Sequence, residues 1–404
     1  MIRKLAWRNI WRNKRRTLIT LTMIIFAVVL STLMMSIKEG VYESMIKSSA
    51  GDYSGYAQIH ANGYWEDRTL ETSFTLEPEL EKVIQNHPEV NGYMPRVDGF
   101  ALAATDSITK GSMVVGVDVE AEKKYSHLDE RVSDGEYLSP DDEAILIGEG
   151  LAEYLKVGVG DTIVMLGSGY QGMTAVGKYG IKGIVKFGSP ELSKQLVFLP
   201  MRAADVFFAT YGQITTIALK TDKPEDGVAL ADALGGELGE EYEVMDWTEL
   251  NPDLVTLIES DRVEGYVFMF ILYMVISFGI FGTMLMMMAE RRREFGVLVA
   301  VGMKRAKLAR MVWGEIVTLS ILGAFFGIFA AFPVCWYFFK YPISYGEEIS
   351  KMAEEYGMEA VLRASLDPGI FIQQAIVVGI VSILIALYPM LKLLKVNAVE
   401  EMRS

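Results

Sequence analysis

The sequence predicts an α-helical membrane protein with four transmembrane helices and a large α+β extracytoplasmic domain between helices 1 and 2. Three observations predict it. Runs 17–37, 266–289, 316–339 and 370–391 contain no Asp, Glu, Lys or Arg. At about 1.5 Å rise per residue, roughly 20 such residues cover a hydrocarbon core of about 30 Å. Lys and Arg collect beside alternate ends of these runs, and the first two runs are separated by a long acidic block with mixed periodicity.

The chain start comes first. Residues 1–16 carry Arg3, Lys4, Arg8, Arg12, Lys14, Arg15 and Arg16 with no acid, and Ile2, Leu5, Trp7, Ile10 and Trp11 set apolar groups among them. That pattern predicts a cytoplasmic amphipathic helix lying in the interface, an anchor before the first crossing. Run 17–37 exceeds the roughly 7 to 15 residues of a signal-peptide core, and no small-x-small cleavage pattern follows it. It reads as an uncleaved transmembrane helix 1.

Block 38–265 must then lie outside. It holds 18 basic and 41 acidic residues, a net charge of −23, against −14 for the whole chain. Such a surface argues against nucleic acid or anionic headgroups as partners. The one cysteine, Cys335, lies in the third run, so no intrachain disulfide is available and an apolar core must hold the domain. His60, His87 and His127 lack metal-ligand spacing, which predicts no metal site. Residues 78–85 and 223–234 read as short helices, the second capped by Asp222 and stopped by Gly235 and Gly236. Runs 113–119, 144–147, 162–166, 181–187, 196–199 and 214–219 read as strands. A β-rich lobe at about 97–188 is expected as an insertion into an α+β lobe built from 45–95 and 195–255.

Two glycine patterns need weighing. Gly167, Gly169 and Gly172 spell GxGxxG, and Gly172, Gly177 and Lys178 begin GxxxxGK. A phosphate loop needs Ser or Thr after the Lys and then a helix; here Tyr179 and Gly180 follow, and a strand is predicted next. These glycines suit a mobile hairpin tip. Without a nucleotide site the chain is expected to bind no cofactor and hydrolyse no ATP.

After helix 2 at 266–289, segment 290–311 carries Arg291, Arg292, Arg293, Lys304, Arg305, Lys307 and Arg310 against Glu290 and Glu294, which places it in the cytoplasm. Phe295, Leu298, Val299 and Met303 recur at helical spacing and predict an apolar face for a groove on a soluble partner, while the three arginines anchor helix 2 at the headgroups. Gly296 and Gly302 permit close approach or a break. Glu315 opens helix 3, at 312–339, where a carboxylate is costly unless it reaches water or a cation. Lys307 and Arg310 are candidate mates, and helix capping is an alternative. Extracytoplasmic loop 340–369 holds three basic residues against six acids, helix 4 spans 370–391, and the cytoplasmic tail 392–404 carries Lys392, Lys395 and Arg403. Both termini come out inside. Met269 and Met274 on helix 2, with Met34 and Met35 on helix 1, are candidate substrate-facing residues, because flexible thioethers adapt to acyl chains.

The start LAWRNIWRNKRRTLIT, the segment AILIGEGLAEYLKVGVGDTIVML, the run ERRREFGVLVAVGMKRAKLARMVWGEIVTLSILGAFFGIF and the ending YPMLKLLKVNAVEEMR resemble the FtsX-like permease family, which includes MacB-type exporters and Lol-type lipoprotein-releasing permeases. The resemblance implies a permease subunit in the cell inner membrane, paired with an identical or paralogous second permease. It implies an ABC ATPase dimer that carries ATP and Mg, and Glu294, Phe295, Gly296, Leu298, Val299, Gly302 and Met303 as the ATPase-coupling residues. The unfused chain and the segment GIVKFGSPELSKQLVFLPMRAADVFF lean toward the Lol type, hence a lipid-anchored or amphiphilic substrate and a periplasmic carrier or adaptor, although no carrier-holding hook is identifiable. A MacB-like efflux permease and a non-transporting regulator of cell-wall hydrolases are the alternatives.

Overall fold

The computed structural model describes residues 14–344 and 361–394. Most of the expected interfacial helix 1–16, much of loop 340–369 and the tail from 395 lie outside the described residues. Two compact units emerge. Among the described residues, one holds the chain up to Tyr42, Ile258–Ser344 and the chain from Val361; the other holds Glu43–Leu257. Four helices, Thr17–Gly51, Pro252–Glu290, Arg305–Lys340 and Pro368–Leu394, are long and apolar enough to cross a membrane.

Helix α1 (Lys14–Ile46) runs on through a π-helical stretch, Lys47–Ser54, which Gly55 ends at φ 76°. The α+β domain follows with β1 (Ala57–Ala61), α2 (Pro78–Asn86), β2 (Gly92–Ala104), β3 (Thr109–Val117), α3 (Val119–Tyr125), β4 (Val132–Gly135), β5 (Ala144–Gly148) and α4 (Glu149–Leu155). It continues with β6 (Thr162–Ser168), β7 (Thr174–Val185), β8 (Leu196–Pro200), α5 (Met201–Phe208), β9 (Thr216–Lys220), α6 (Pro224–Leu238) and β10 (Tyr242–Asp246). The remaining helices are α7 (Pro252–Glu290), α8 (Arg292–Ala300), α9 (Arg305–Lys340), α10 (Pro368–Ile385) and α11 (Leu387–Leu394).

The short helices form where local chemistry favours them. Pro78 opens α2 with its ring already at helical φ, and Leu80 and Ile84, one turn apart, are buried. Asp118 caps α3 by accepting from Glu120 N and Ala121 N, both at 3.0 Å. The expected cap and stop of α6 are not seen. Lys223 is the N-cap residue, and Asp222 instead accepts from Asn91 at 2.7 Å. The helix continues through Gly235 and Gly236 to Leu238, because Leu230, Ala231 and Leu234 bury one face and outweigh about 1 kcal/mol per glycine.

All ten strands of the domain join one sheet, ordered β10-β1-β9-β2-β3-β8-β5-β7-β4, with β6 pairing both β2 and β7. The pairings of β2, β3, β8, β5, β7 and β6 therefore close a circuit, while β9, β1 and β10 extend from the other end of β2. Strand β2 serves both parts: Gly92–Arg96 pair with β9, and Ala101–Ala104 pair with β6. Helix α5 seats on the circuit where two strand positions lack side chains. A Cβ at Gly99 would lie 2.5 Å from the Phe208 ring, and one at Gly116 would lie 2.3 Å from Ala204 Cβ. Alternate residues of β3 serve two cores: Val114 faces the main cluster with Ile147 and Phe208, while Val115 and Val117 join Phe198 and Leu128 in a second. The glycines of the GxGxxG pattern sit at the β6–β7 connection, where Gln171 and Gly172 adopt φ of 54° and 68°.

In the helical unit, small residues set the spacing. On α9, a Cβ at Gly323 would be 2.6 Å from Ile24 and one at Gly327 would be 2.7 Å from Val28, so two side chains of α1 seat on a small-xxx-small stripe. Gly279 of α7 does the same for Met23. Farther along α1, Lys38 pairs with Asp261 at 2.6 Å, Tyr42 donates to the same carboxylate, and Arg262 reaches Glu39 at 3.2 Å.

Candidate functional site

The segment expected to couple the chain to a soluble partner is a helical elbow. Helix α7 ends at Glu290, Arg291 breaks the helical path at φ −105° and ψ 10°, and α8 follows. The elbow closes with a Schellman turn: Gly302 N donates to Val299 O and Met303 N to Leu298 O, both at 3.0 Å, with Gly302 at φ 102°. That backbone conformation is why glycine stands at 302. Helix α9 then begins at Arg305, ahead of the expected 312.

A buried ion pair holds this elbow. Arg291 Nη1 donates to Glu315 Oε2 at 2.8 Å and its Nε to Glu294 Oε2 at 3.2 Å, with the Arg291 and Glu315 side chains 4% and 2% exposed. The guanidinium also lies 5.1 Å from the centre of the Phe295 ring. Neither expected mate of Glu315 engages it in this way. Arg310 is exposed and donates to Ala306 O of its own helix, and Lys307 is exposed. Arg291 is also not a headgroup anchor, since it is buried in this pair. The elbow brings residue 291 beside 315, a juxtaposition that 3–4 residue spacing cannot register.

The expected docking face is divided. Phe295 and Gly296 are buried, Phe295 within a cluster that includes Met284, Met287, Leu308 and Leu393. Leu298, Val299 and Met303 are half-buried against the same cluster. Helical spacing finds an apolar face but not its occupant, and most of this one packs on the chain itself. Glu294 and Gly302 are exposed, as are Val297 and Val301, at 52% and 82%. Those two valines, one turn apart, form the outward apolar face that the sequence reading missed; their i,i+4 spacing was its available signal. A cavity of about 280 Å³ lined by Met288, Arg292, Phe295 and Lys392 lies behind the elbow.

The methionines part company similarly. Met269 is buried, Met34 and Met35 are half-buried, and Met274 is exposed. Of the four apolar windows, that of α7 is the least covered, at 17% buried, so most of its apolar surface is left bare by the described residues. No cluster of His, Cys, Asp and Glu able to hold a metal occurs among the described residues.

Comparison with known proteins supplies the relationship. The family model described as MacB-like periplasmic core domain matches residues 17–236, and that described as FtsX-like permease C-terminal matches residues 266–398. The lipoprotein-releasing system transmembrane protein LolC of Xylella fastidiosa (strain Temecula1 / ATCC 700964) is 23% identical over 257 residues, covering 62% of each chain. LolE of Haemophilus influenzae is 26% identical over 243 residues, 58% of each chain. The macrolide export ATP-binding/permease protein MacB of Burkholderia thailandensis is 22% identical over 342 residues, 80% of this chain and 50% of that one. The chain thus spans about six tenths or less of the length of these relatives. Among solved structures, the periplasmic region of MacB from Actinobacillus actinomycetemcomitans aligns over 52% of this chain and 97% of that one, at 10% identity and a TM-score of 0.35, too low to bear on this chain. On the two family matches, which together take in most of its length, the chain belongs to the FtsX-like permease family of ABC transporters and carries a MacB-like periplasmic core domain.

Proposed function

We propose that the chain is the inner-membrane subunit of a transporter driven by a separate ABC ATPase dimer, and that it relays ATPase closure through α8 to the periplasmic core domain to release an amphiphilic or lipid-anchored substrate. ATP and Mg belong to the partner in this reading. Both termini and α8 face the cytoplasm, and a second permease, identical or paralogous, completes the complex. The observation that carries the reading is the latched elbow. Because Arg291 and Phe295 fasten α8 to α9 and α7, a push on Val297 and Val301 moves the long helices rather than bending a loop. The scarcely covered apolar flank of α7 suits a second permease or acyl chains, with Met274 turned outward. Release of a lipid-anchored substrate accords with the LolC and LolE relatives, named as lipoprotein-releasing; efflux is the second reading, favoured by the macrolide-export MacB relative whose match covers 80% of this chain.

The test exploits the exposure of Val301. Val301→Asp leaves the fold intact because the residue is 82% exposed, but sets a carboxylate in an apolar contact at a cost of several kcal/mol. Co-purification with the cognate ATPase should fall at least tenfold, with membrane insertion unchanged. An undiminished complex would overturn the assignment of α8 as the contact.

A further inference from the structure

Strand β2 carries a period-two face that changes character along its length. Arg96, Asp98, Phe100 and Leu102 share one side, opposite the inward Val97, Gly99, Ala101 and Ala103. Arg96 is buried and engaged by Glu122 Oε1 and Tyr53 O, both at 2.6 Å. Asp98 Oδ2 accepts from Thr216 Oγ1 at 2.7 Å, but its Oδ1 is buried and meets no donor among the described residues. A buried acceptor left without a donor is costly. Asp98 lines a cavity of about 230 Å³ with His60, Tyr64, Trp65, Arg68 and Phe100 among its walls. The Arg68 guanidinium stacks 3.9 Å from the centre of the Trp65 ring.

Phe100 lines this cavity yet is 56% exposed, so it stands at the rim. From there the same face continues as bare apolar surface. Leu102 lies opposite Leu166 of β6, which lies opposite Val176 of β7, and all three are exposed. On the other flank of Leu102 is Gly111, where a Cβ would meet nothing within 4 Å, so the surface is a trough. The outward faces of β3, β5 and β8, by contrast, are covered by the second core cluster. The β2–β6–β7 flank combines an apolar stripe with a polar cavity at its end.

We propose that this flank binds one amphiphile, its small zwitterionic headgroup of ammonium and phosphate in the cavity and its acyl chain along Phe100, Leu102, Leu166 and Val176. The ammonium supplies the donor that Asp98 Oδ1 lacks and sits among aromatic faces, which attract cations. Phosphate matches the planar fork of Arg68, and the stripe takes the chain. A protein partner on the stripe would leave the cavity and Asp98 Oδ1 unanswered. The site deepens the proposed function, on whose amphiphilic substrate class it rests, by naming a headgroup.

The test uses the full chain in nanodiscs of phosphatidylglycerol, without ATPase. The probes are lysophosphatidylethanolamine and lysophosphatidylglycerol carrying the same photoreactive acyl chain. The ethanolamine probe should label β2 and β6 at least tenfold more than the glycerol probe. Asp98→Asn, which keeps the side-chain shape, should cut that labelling about tenfold, and Leu166→Ser, at an exposed position, should remove the β6 adduct. Equal labelling by both probes, labelling only within the apolar helices, or a photoreactive residue at 166 that joins two chains would each overturn the site. Site labelling as expected, but no ATP-driven release of the probe once the cognate ATPase is added in a second experiment, would instead count against the transport reading alone.

Discussion

Removing the Glu315 carboxylate should unlatch the elbow. In Glu315→Gln, Arg291 loses the 2.8 Å ion-pair partner on α9 and keeps Glu294, on its own side of the elbow at 3.2 Å, as its carboxylate partner among the described residues. Stripping one member from a buried pair costs about 3–5 kcal/mol, and the surviving Glu294 contact sets the expectation at the lower end, about 3 kcal/mol. That is roughly a hundredfold shift toward the unlatched elbow, because each 1.4 kcal/mol is tenfold. The permease should insert normally and still bind the ATPase through Val297 and Val301, while ATP hydrolysis becomes uncoupled from substrate release. The reversed pair, Arg291→Glu with Glu315→Arg, should recover part of both thermal stability and coupling. The assay pairs a thermal-shift measurement in detergent with ATP turnover and release in proteoliposomes. Unchanged stability and coupling in Glu315→Gln would refute the latch, as would a reversed pair no better than the sum of its single variants.

Two further outcomes follow from packing and burial. Gly327→Ala places a methyl group 2.7 Å from Val28 and should destabilise the helical unit by about 1–3 kcal/mol; Val28→Ala in the same chain should relieve much of this in a thermal-shift cycle. In the core domain, burial holds His60 down to about 4, against the weaker opposing pull of the Thr215 carbonyl. Unfolded His60 gains a proton below about 6.5, whereas the folded ring resists until about 4. Stability therefore falls as pH drops through that window, by up to about 3 kcal/mol. The difference in urea midpoints between wild type and His60→Gln, followed by tryptophan fluorescence, isolates this effect from Asp98, whose burial-raised carboxyl acts in the opposite direction. A difference that does not change between pH 7 and pH 4.5 would contradict it.

Much of the architecture was legible because it is local. An uncharged run of roughly 20 residues makes a long apolar helix whatever surrounds it, and all four were found. The runs rich in Val, Ile and aromatics at 113–119, 144–147, 162–166 and 196–199 mark observed strands, because such side chains suit a pleated surface. β1 and β10 escaped notice, since AQIHA and YEVMD announce themselves only through the partners they pair with. Sequence by itself thus determined the apolar helices, the acidic mixed domain between the first two and the family relationship. Only the tertiary structure decided that Arg291 belongs to Glu315, that Phe295 turns inward while Val297 and Val301 stay outside, that β6 closes a circuit of strands, and that Asp98 stands in a cavity with one oxygen unanswered. Each of these depends on groups far apart in the chain, which attract or exclude one another only after folding has removed the water between them.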